Sequence, residues 1–207
     1  MNPQDETIAT GLGPFRFELR ELEPTPEAPR ALKDGRYAWG GTVGALGAVE
    51  VAFPTKHENY PDSYSQVSVT GPGFPLITYL ALSYGHRPLL ARQELRVDWN
   101  PAKIRRGSFR ISKQGRALRI TAEGRTYRYR QLQNKRNHEL IRDGIRVHIT
   151  RSHWKKPHLI SGVCHGPTDA LDIGLALVFE GAYTRNLSLP GALVSLPGRI
   201  LNRLDGL

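Results

Sequence analysis

Arginine recurs at alternating positions through the middle of this 207-residue chain, and its guanidinium group is well suited to bind phosphate or carboxylate oxygens. Alternation is the period of a β-strand, whose successive side chains point to opposite faces of a sheet. On adjacent strands these cations would share one face. The residues predicted to bind an anion there are Arg110, Arg119, Arg128, Arg130 and Arg146, with Lys155 and Lys156 from a basic loop that follows.

The positive charge of the chain is concentrated in the same segment. The formal net charge is +10, yet residues 101–160 hold 17 Lys/Arg against three acids, a net of +14, and the rest of the chain is net −4. Such asymmetry favours a polyanionic partner. The alternative interpretation is a solvated basic surface, because net charge is also a determinant of solubility.

Short strands must position these arginines. From residue 108 onward apolar residues alternate with polar ones, which predicts an antiparallel meander. The turn signals between its strands are Gln114-Gly115, Glu123-Gly124 and Asp143-Gly144. Tyr127 and Tyr129 alternate with Arg128 and Arg130, so both tyrosines should pack against the core. Buried tyrosines could not stack on nucleic-acid bases, which favours binding to phosphate backbones or headgroups.

The segment TDALDIGLALVFEGAY, residues 168–183, predicts a helix after this meander. It is apolar from Ile173 to Phe179, so protein should surround it on all sides. The run is too short to cross a bilayer, which needs about 20 apolar residues. Thr168 is the expected N-cap, and Asp169 and Asp172 suit the positive end of the helix dipole.

These elements predict a single mainly β (α+β) domain. An antiparallel meander would form a barrel or curved sheet around the buried C-terminal helix. We place this domain at residues 37–186, after a partly ordered leader at 1–36 and before an apolar tail at 187–207. A single cysteine and a polar N-terminus without an apolar signal region predict a cytoplasmic protein.

The sequence offers little support for catalysis or metal binding. Four histidines and Cys164 lie within eighteen residues, but the usual zinc spacings are absent. Cys164-His165 could suggest a thiol nucleophile, although adjacent side chains on a strand point to opposite faces. No Gly-x-Ser-x-Gly elbow occurs. We therefore predict no catalytic residues, no metal and no cofactor.

A strand meander followed near the C-terminus by an almost wholly apolar helix resembles the tubby C-terminal-like superfamily, which includes the phospholipid scramblases and LURP-one-related proteins. The resemblance spans about residues 37–183, with 170–179 in the place of the enclosed helix. It implies a closed barrel around that helix and binding of phosphoinositide headgroups through basic side chains. It assigns no particular position to the lipid-binding residues, and the tail beyond residue 183 departs from the family pattern.

Three functional hypotheses follow. The leading one is a non-enzymatic module whose basic sheet face binds anionic surfaces, either phospholipid headgroups or an acidic protein, and which attaches peripherally to a membrane. The second is nucleic-acid binding through the same face, with a steep salt dependence from counterion release. The third is a structural or assembly protein that docks onto its neighbours through its termini, the acidic leader at 1–36 and the apolar tail at 187–207, with oligomers formed through the tail.

Overall fold

The computed structural model describes residues 15–23, 37–55, 64–84, 87–90, 93–106, 117–132, 135–154 and 157–182. Within these ranges the chain forms thirteen β-strands, one 3-10 turn and one α-helix. The strands are β1 (Phe15–Glu21), β2 (Tyr37–Thr42), β3 (Ala48–Thr55), β4 (Tyr64–Thr70), β5 (Ile77–Tyr84), β6 (Arg87–Pro88), β7 (Glu94–Val97), β8 (Asn100–Arg106), β9 (Leu118–Ala122), β10 (Arg125–Gln131), β11 (Asn137–Arg142), β12 (Ile145–Arg151) and β13 (Leu159–His165). The 3-10 turn is Gly44–Leu46, and the helix is α1 (Ala170–Val178).

Twelve of these strands form a closed antiparallel barrel. They pair in chain order, and the ring is completed where β1 pairs with β13, from Phe15 opposite Cys164 to Arg20 opposite Leu159. Among the described residues β6 pairs only with β5 and stands outside the ring. The prediction of a mainly β fold is confirmed, and of the two forms predicted, the sheet adopts the barrel.

The predicted alternation of faces is confirmed on β12. Ile145, Val147 and Ile149 are buried, whereas Arg146 between them is exposed. The same alternation runs through β9 and β10. Hairpin turns fix this register, and at the turn between β9 and β10 both Glu123 and Gly124 have positive φ, as a two-residue turn requires.

Part of the leader belongs to the barrel. β1 lies within the segment 1–36, where Phe17 and Leu19 face the core, and it pairs with both β13 and β2. The strand predicted from residue 108, the turn Gln114-Gly115 and the tail at 187–207 lie outside the described residues.

The helix is shorter than the predicted 168–183, and its N-cap is Asp169 rather than Thr168. The Thr168 prediction is wrong because Asp169 forms a reciprocal capping box with Asp172. Asp169 Oδ1 accepts from the Asp172 amide at 3.0 Å, and Asp172 Oδ2 accepts from the Asp169 amide at 2.9 Å. Every residue from Leu171 to Val178 is buried, as predicted. No helix in the described part of the chain has the length and apolar character needed to span a membrane.

Two glycines allow close packing around the core. A Cβ built at Gly174 of α1 would lie 2.6 Å from Cδ1 of Ile77 on β5, so the missing side chain lets the helix approach that strand. A Cβ at Gly162 of β13 would lie 2.1 Å from Cζ of Phe17, which lies opposite it on β1. The Phe17 ring therefore occupies the space that a side chain at 162 would need.

Candidate functional site

Three exposed arginines form a row across the outer wall of the barrel, and we call them the arginine row. Arg105 on β8 lies opposite Arg119 on β9, and Arg119 lies opposite Arg128 on β10. Neighbouring strands are about 4.8 Å apart, so the three Cα atoms lie within about 10 Å of one another. All three side chains are exposed. The barrel thus presents three guanidinium groups side by side.

The arginine row has no acidic partner among the described residues, nor do its side chains hydrogen-bond to any of them. Like charges directly opposite one another destabilise a sheet. Repulsion among the three arginines of the row therefore lowers the stability of the fold, and a bound anion from outside the protein would reduce that repulsion. Lys103 lies two residues before Arg105 on β8 and is also exposed, which adds a fourth cation to the same face.

Two other predicted site residues already have an anionic partner. Arg130 and Arg146 both contact Glu139 of β11, with Arg130 Nε 2.7 Å from Oε2 and Arg146 Nε 3.1 Å from Oε1. Glu139 is buried beneath them. These arginines face outward as predicted, but their charge is partly neutralised within the protein, so we do not count them in the row.

Of the seven predicted site residues, the structure places Arg119 and Arg128 directly opposite each other and brings Arg130 and Arg146 together on Glu139. Arg110, Lys155 and Lys156 lie outside the described residues.

Sequence reasoning missed Arg105 and Lys103. Their signal was available in the segment PAKIRR of β8, where the partly buried Ala102 and Ile104 alternate with exposed Lys103 and Arg105. The proline at 101 obscured this strand, because proline is uncommon inside sheets. Pro101 is only the second residue of β8, and the pairing of the strand with β7 and β9 continues past it.

The two tyrosines between the arginines of β10 are fully buried, as predicted. The Tyr127 hydroxyl lies 3.2 Å from Asp172 Oδ1, and the Tyr129 hydroxyl lies 2.9 Å from Glu180 Oε1. Burial raises the pKa of Tyr127 to about 12, with the Asp172 charge adding to the effect. Both rings pack inside the barrel, so neither is exposed beside the arginine row.

A second group of charged residues lies at the beginning of α1. Arg142 donates two hydrogen bonds to the buried Asp172 carboxylate, at 2.7 and 3.0 Å, and Arg125 pairs with Asp169. The hydrogen bond to Asp172 raises the pKa of Arg142 above its ordinary value. Arg125 and Arg142 thus form ion pairs with carboxylates at the start of the helix. The net charge of the basic segment is therefore larger than the positive charge left unpaired on its surface.

A third group lies beyond the end of α1. Arg151 pairs with Glu180 and donates to the Glu180 carbonyl at 2.9 Å, and His138 Nδ1 lies 3.3 Å from Glu180 Oε1. All three side chains are buried. Burial alone would raise the pKa of Glu180, but the Arg151 charge and then that of His138 outweigh it and lower the pKa to about 2. Burial lowers the pKa of His138 itself.

The structure places Cys164 and His165 on opposite faces of β13. Cys164 faces the core, and burial raises the pKa of its thiol to about 12, which disfavours the reactive thiolate. His165 is exposed. No cluster of three His, Cys, Asp or Glu side chains that could hold a metal occurs within the described ranges.

No family model, curated protein or solved structure matches this chain.

Proposed function

We propose that this protein is a non-enzymatic binding module that docks on anionic phospholipid surfaces through the arginine row. The observation that carries the proposal is the register of Arg105, Arg119 and Arg128, which sets three exposed cations opposite one another without an acid among the described residues to neutralise them. Lipid phosphates are the matching partner, since a guanidinium binds phosphate oxygens through two parallel hydrogen bonds.

Two features favour a membrane over nucleic acid. The arginine row lies on the outside of a closed barrel, and a convex wall can meet a planar lipid surface, whereas a duplex groove admits a protruding helix or ribbon. Tyr127 and Tyr129 are buried, so they offer no platform for stacking on bases. Nucleic acid therefore remains only as an alternative outcome of the test.

We also propose a tubby-like architecture, in which the barrel encloses α1. Its support is the complete burial of Leu171–Val178 together with the charged contacts at both ends of the helix, to Arg142 of β11 and to Arg151 of β12. With this architecture we propose a cytoplasmic protein that attaches to membranes peripherally.

The test is co-sedimentation with phosphatidylcholine vesicles and with mixed vesicles of phosphatidylcholine and phosphatidylserine. A variant that combines Arg119→Gln and Arg128→Gln removes two charges from the arginine row. Its matched control combines Arg16→Gln and Arg20→Gln, two exposed arginines of β1 on another part of the barrel wall.

Each cation near an anionic bilayer contributes about 1 kcal/mol, so the row variant should bind mixed vesicles about 30-fold more weakly. The β1 control should bind within about threefold of the wild type, because charges farther than a Debye length from the surface are screened. Equal binding of the wild type to neutral and mixed vesicles would refute the proposal. Tight binding to an oligonucleotide without binding to vesicles would favour the nucleic-acid hypothesis instead.

A further inference from the structure

Trp99 is the large hydrophobic side chain that the described residues leave exposed, with 73% of its surface accessible. It lies with Asp98 in the two-residue turn between β7 and β8, and both residues have positive φ, 71° at Trp99 and 44° at Asp98. Asparagine, aspartate and glycine tolerate this conformation, but a bulky residue in it is strained. The turn would be more stable with glycine at position 99, so local stability does not explain the tryptophan.

The turn is held in a fixed place beside the loop that precedes β5. The Asp98 amide donates to the Leu76 carbonyl at 2.8 Å, and the Leu76 amide donates to Asp98 Oδ1 at 2.8 Å. Both bonds join Asp98 to Leu76, so they fix the first residue of the turn against that loop. The Trp99 ring is therefore presented to solvent from a rigid tip and not from a long loop.

Trp99 lies in the turn immediately before β8, and a line of exposed residues follows along the outer side of that strand. Pro101, Lys103 and Arg105 alternate with the inward Ala102 and Ile104, and Arg105 is the first member of the arginine row. Arg105 lies six positions after Trp99, which corresponds to about 20 Å along a strand. An exposed indole thus lies at one end of a cationic wall.

We propose that Trp99 inserts into the interfacial zone of an anionic bilayer while the outer face of β8, β9 and β10 lies along the headgroups. This inference rests on the proposed function and adds a membrane anchor and an orientation to it. Tryptophan suits the headgroup level because its ring is largely apolar while its indole N–H remains hydrogen-bonded. Lys103 and the arginine row, which lie farther along the same wall, attract the anionic surface and bring the ring to that depth.

Tryptophan fluorescence with brominated lipids tests the insertion. The chain has three tryptophans, of which Trp39 is buried and Trp154 lies in the connection between β12 and β13, at the opposite end of the barrel from Trp99. Mixed phosphatidylcholine and phosphatidylserine vesicles with brominated acyl chains should quench wild-type emission and shift it to the blue. Trp99→Phe should abolish that quenching, and Trp154→Phe should preserve it.

Trp99→Gly separates anchoring from a structural role. We expect this variant to melt at or above the wild-type temperature, because an Asp-Gly pair suits the turn, and to bind mixed vesicles about tenfold more weakly. A lower melting temperature with unchanged vesicle binding would mean that the ring is structural and would overturn the inference.

The remaining outcomes are also decisive. If the wild type sediments with mixed vesicles but Trp99 is not quenched, the proposed function stands and the insertion is refuted. If quenching is lost in Trp154→Phe and kept in Trp99→Phe, the barrel docks by its other end and the orientation is wrong. If the wild type does not sediment with mixed vesicles, both proposals fail together.

Discussion

Arg142 donates two parallel hydrogen bonds to the Asp172 carboxylate, Nε to Oδ1 at 2.7 Å and Nη2 to Oδ2 at 3.0 Å, and so joins β11 to the first turn of α1. Asp172 is fully buried and also completes the capping box with Asp169. The Asp172 carboxylate therefore joins the helix to the barrel wall and also accepts a hydrogen bond from the backbone amide of the N-cap residue. Arg151 and Glu180 make the corresponding connection beyond its other end.

Asp172→Asn should lower the free energy of unfolding by about 3 kcal/mol, because it leaves the Arg142 guanidinium beside a neutral group in a largely buried site. Urea denaturation measures the change. The control is Glu18→Gln, which removes an exposed carboxylate 3.8 Å from Arg20 and should change stability by at most about 0.5 kcal/mol. A loss below about 1 kcal/mol for Asp172→Asn would contradict the role given to this pair.

Glu180 should make the protein sensitive to acid. Its pKa is lowered from 4.5 to about 2 in the folded state, so its stabilising effect is complete above pH 4.5 and is lost as the pH falls toward 2. The free energy of unfolding should decline over that interval. Glu180→Gln should be less stable than the wild type at neutral pH and show a shallower decline. Identical pH profiles for the two proteins would exclude this carboxylate as a cause.

Gly162→Ala should destabilise the protein by about 1–3 kcal/mol, since the new methyl group would overlap the Phe17 ring in a packed core. The same substitution made in a Phe17→Ala background should cost less, because the ring is then absent. A double-mutant cycle on unfolding free energies measures this coupling. Additive effects would show that the ring can move aside freely.

Removing one arginine from the row should stabilise the fold. Arg119→Thr relieves the repulsion from Arg105 and Arg128, and we expect a gain of about 0.5 kcal/mol that diminishes as salt is added. The matched control is Arg130→Thr, which removes a partner of the buried Glu139 and should reduce stability. Loss of stability in Arg119→Thr would mean that the row has internal partners after all.

Cys164 should resist thiol reagents in the folded protein. Burial raises its pKa to about 12, so at pH values near 8 the thiolate fraction is very small and the sulfur is also shielded. Titration with a disulfide reagent should show no reaction until denaturant is added. Thr121→Cys, at an exposed position of β9, provides a second thiol that should react at once under native conditions.

The sequence predicted the barrel most securely where local signals agree. On β12 the alternation of Ile145, Val147 and Ile149 with polar residues sets the faces, and Asp143-Gly144 sets the turn before it. The same reasoning missed β8, because Pro101 stands near its start and only four alternating residues, 102–105, follow it. Closure between β1 and β13 was not predictable, because no local pattern specifies which distant strands pair.

The sequence predicted which arginines lie on the outer face of the sheet, but not which of them form ion pairs with acidic residues. The alternation correctly predicted that Arg119 and Arg128 face outward. It could not show that Glu139 forms ion pairs with Arg130 and Arg146. The sequence did contain an indirect indication that Arg142 and Arg151 pair with buried carboxylates. Asp172 and Glu180 lie in or next to an apolar helix, and buried carboxylates need cationic partners, so two arginines had to face the interior.

The seam between β1 and β13 also sets an order of events during synthesis. Its two strands are separated by more than a hundred residues, so the ring cannot be completed until nearly all of the described chain has left the ribosome. Until then β1 and the most recently emerged strand both expose unsatisfied backbone edges, which are templates for aggregation. Nascent chains of this protein should therefore depend on chaperones until the segment of β13 and α1 has emerged.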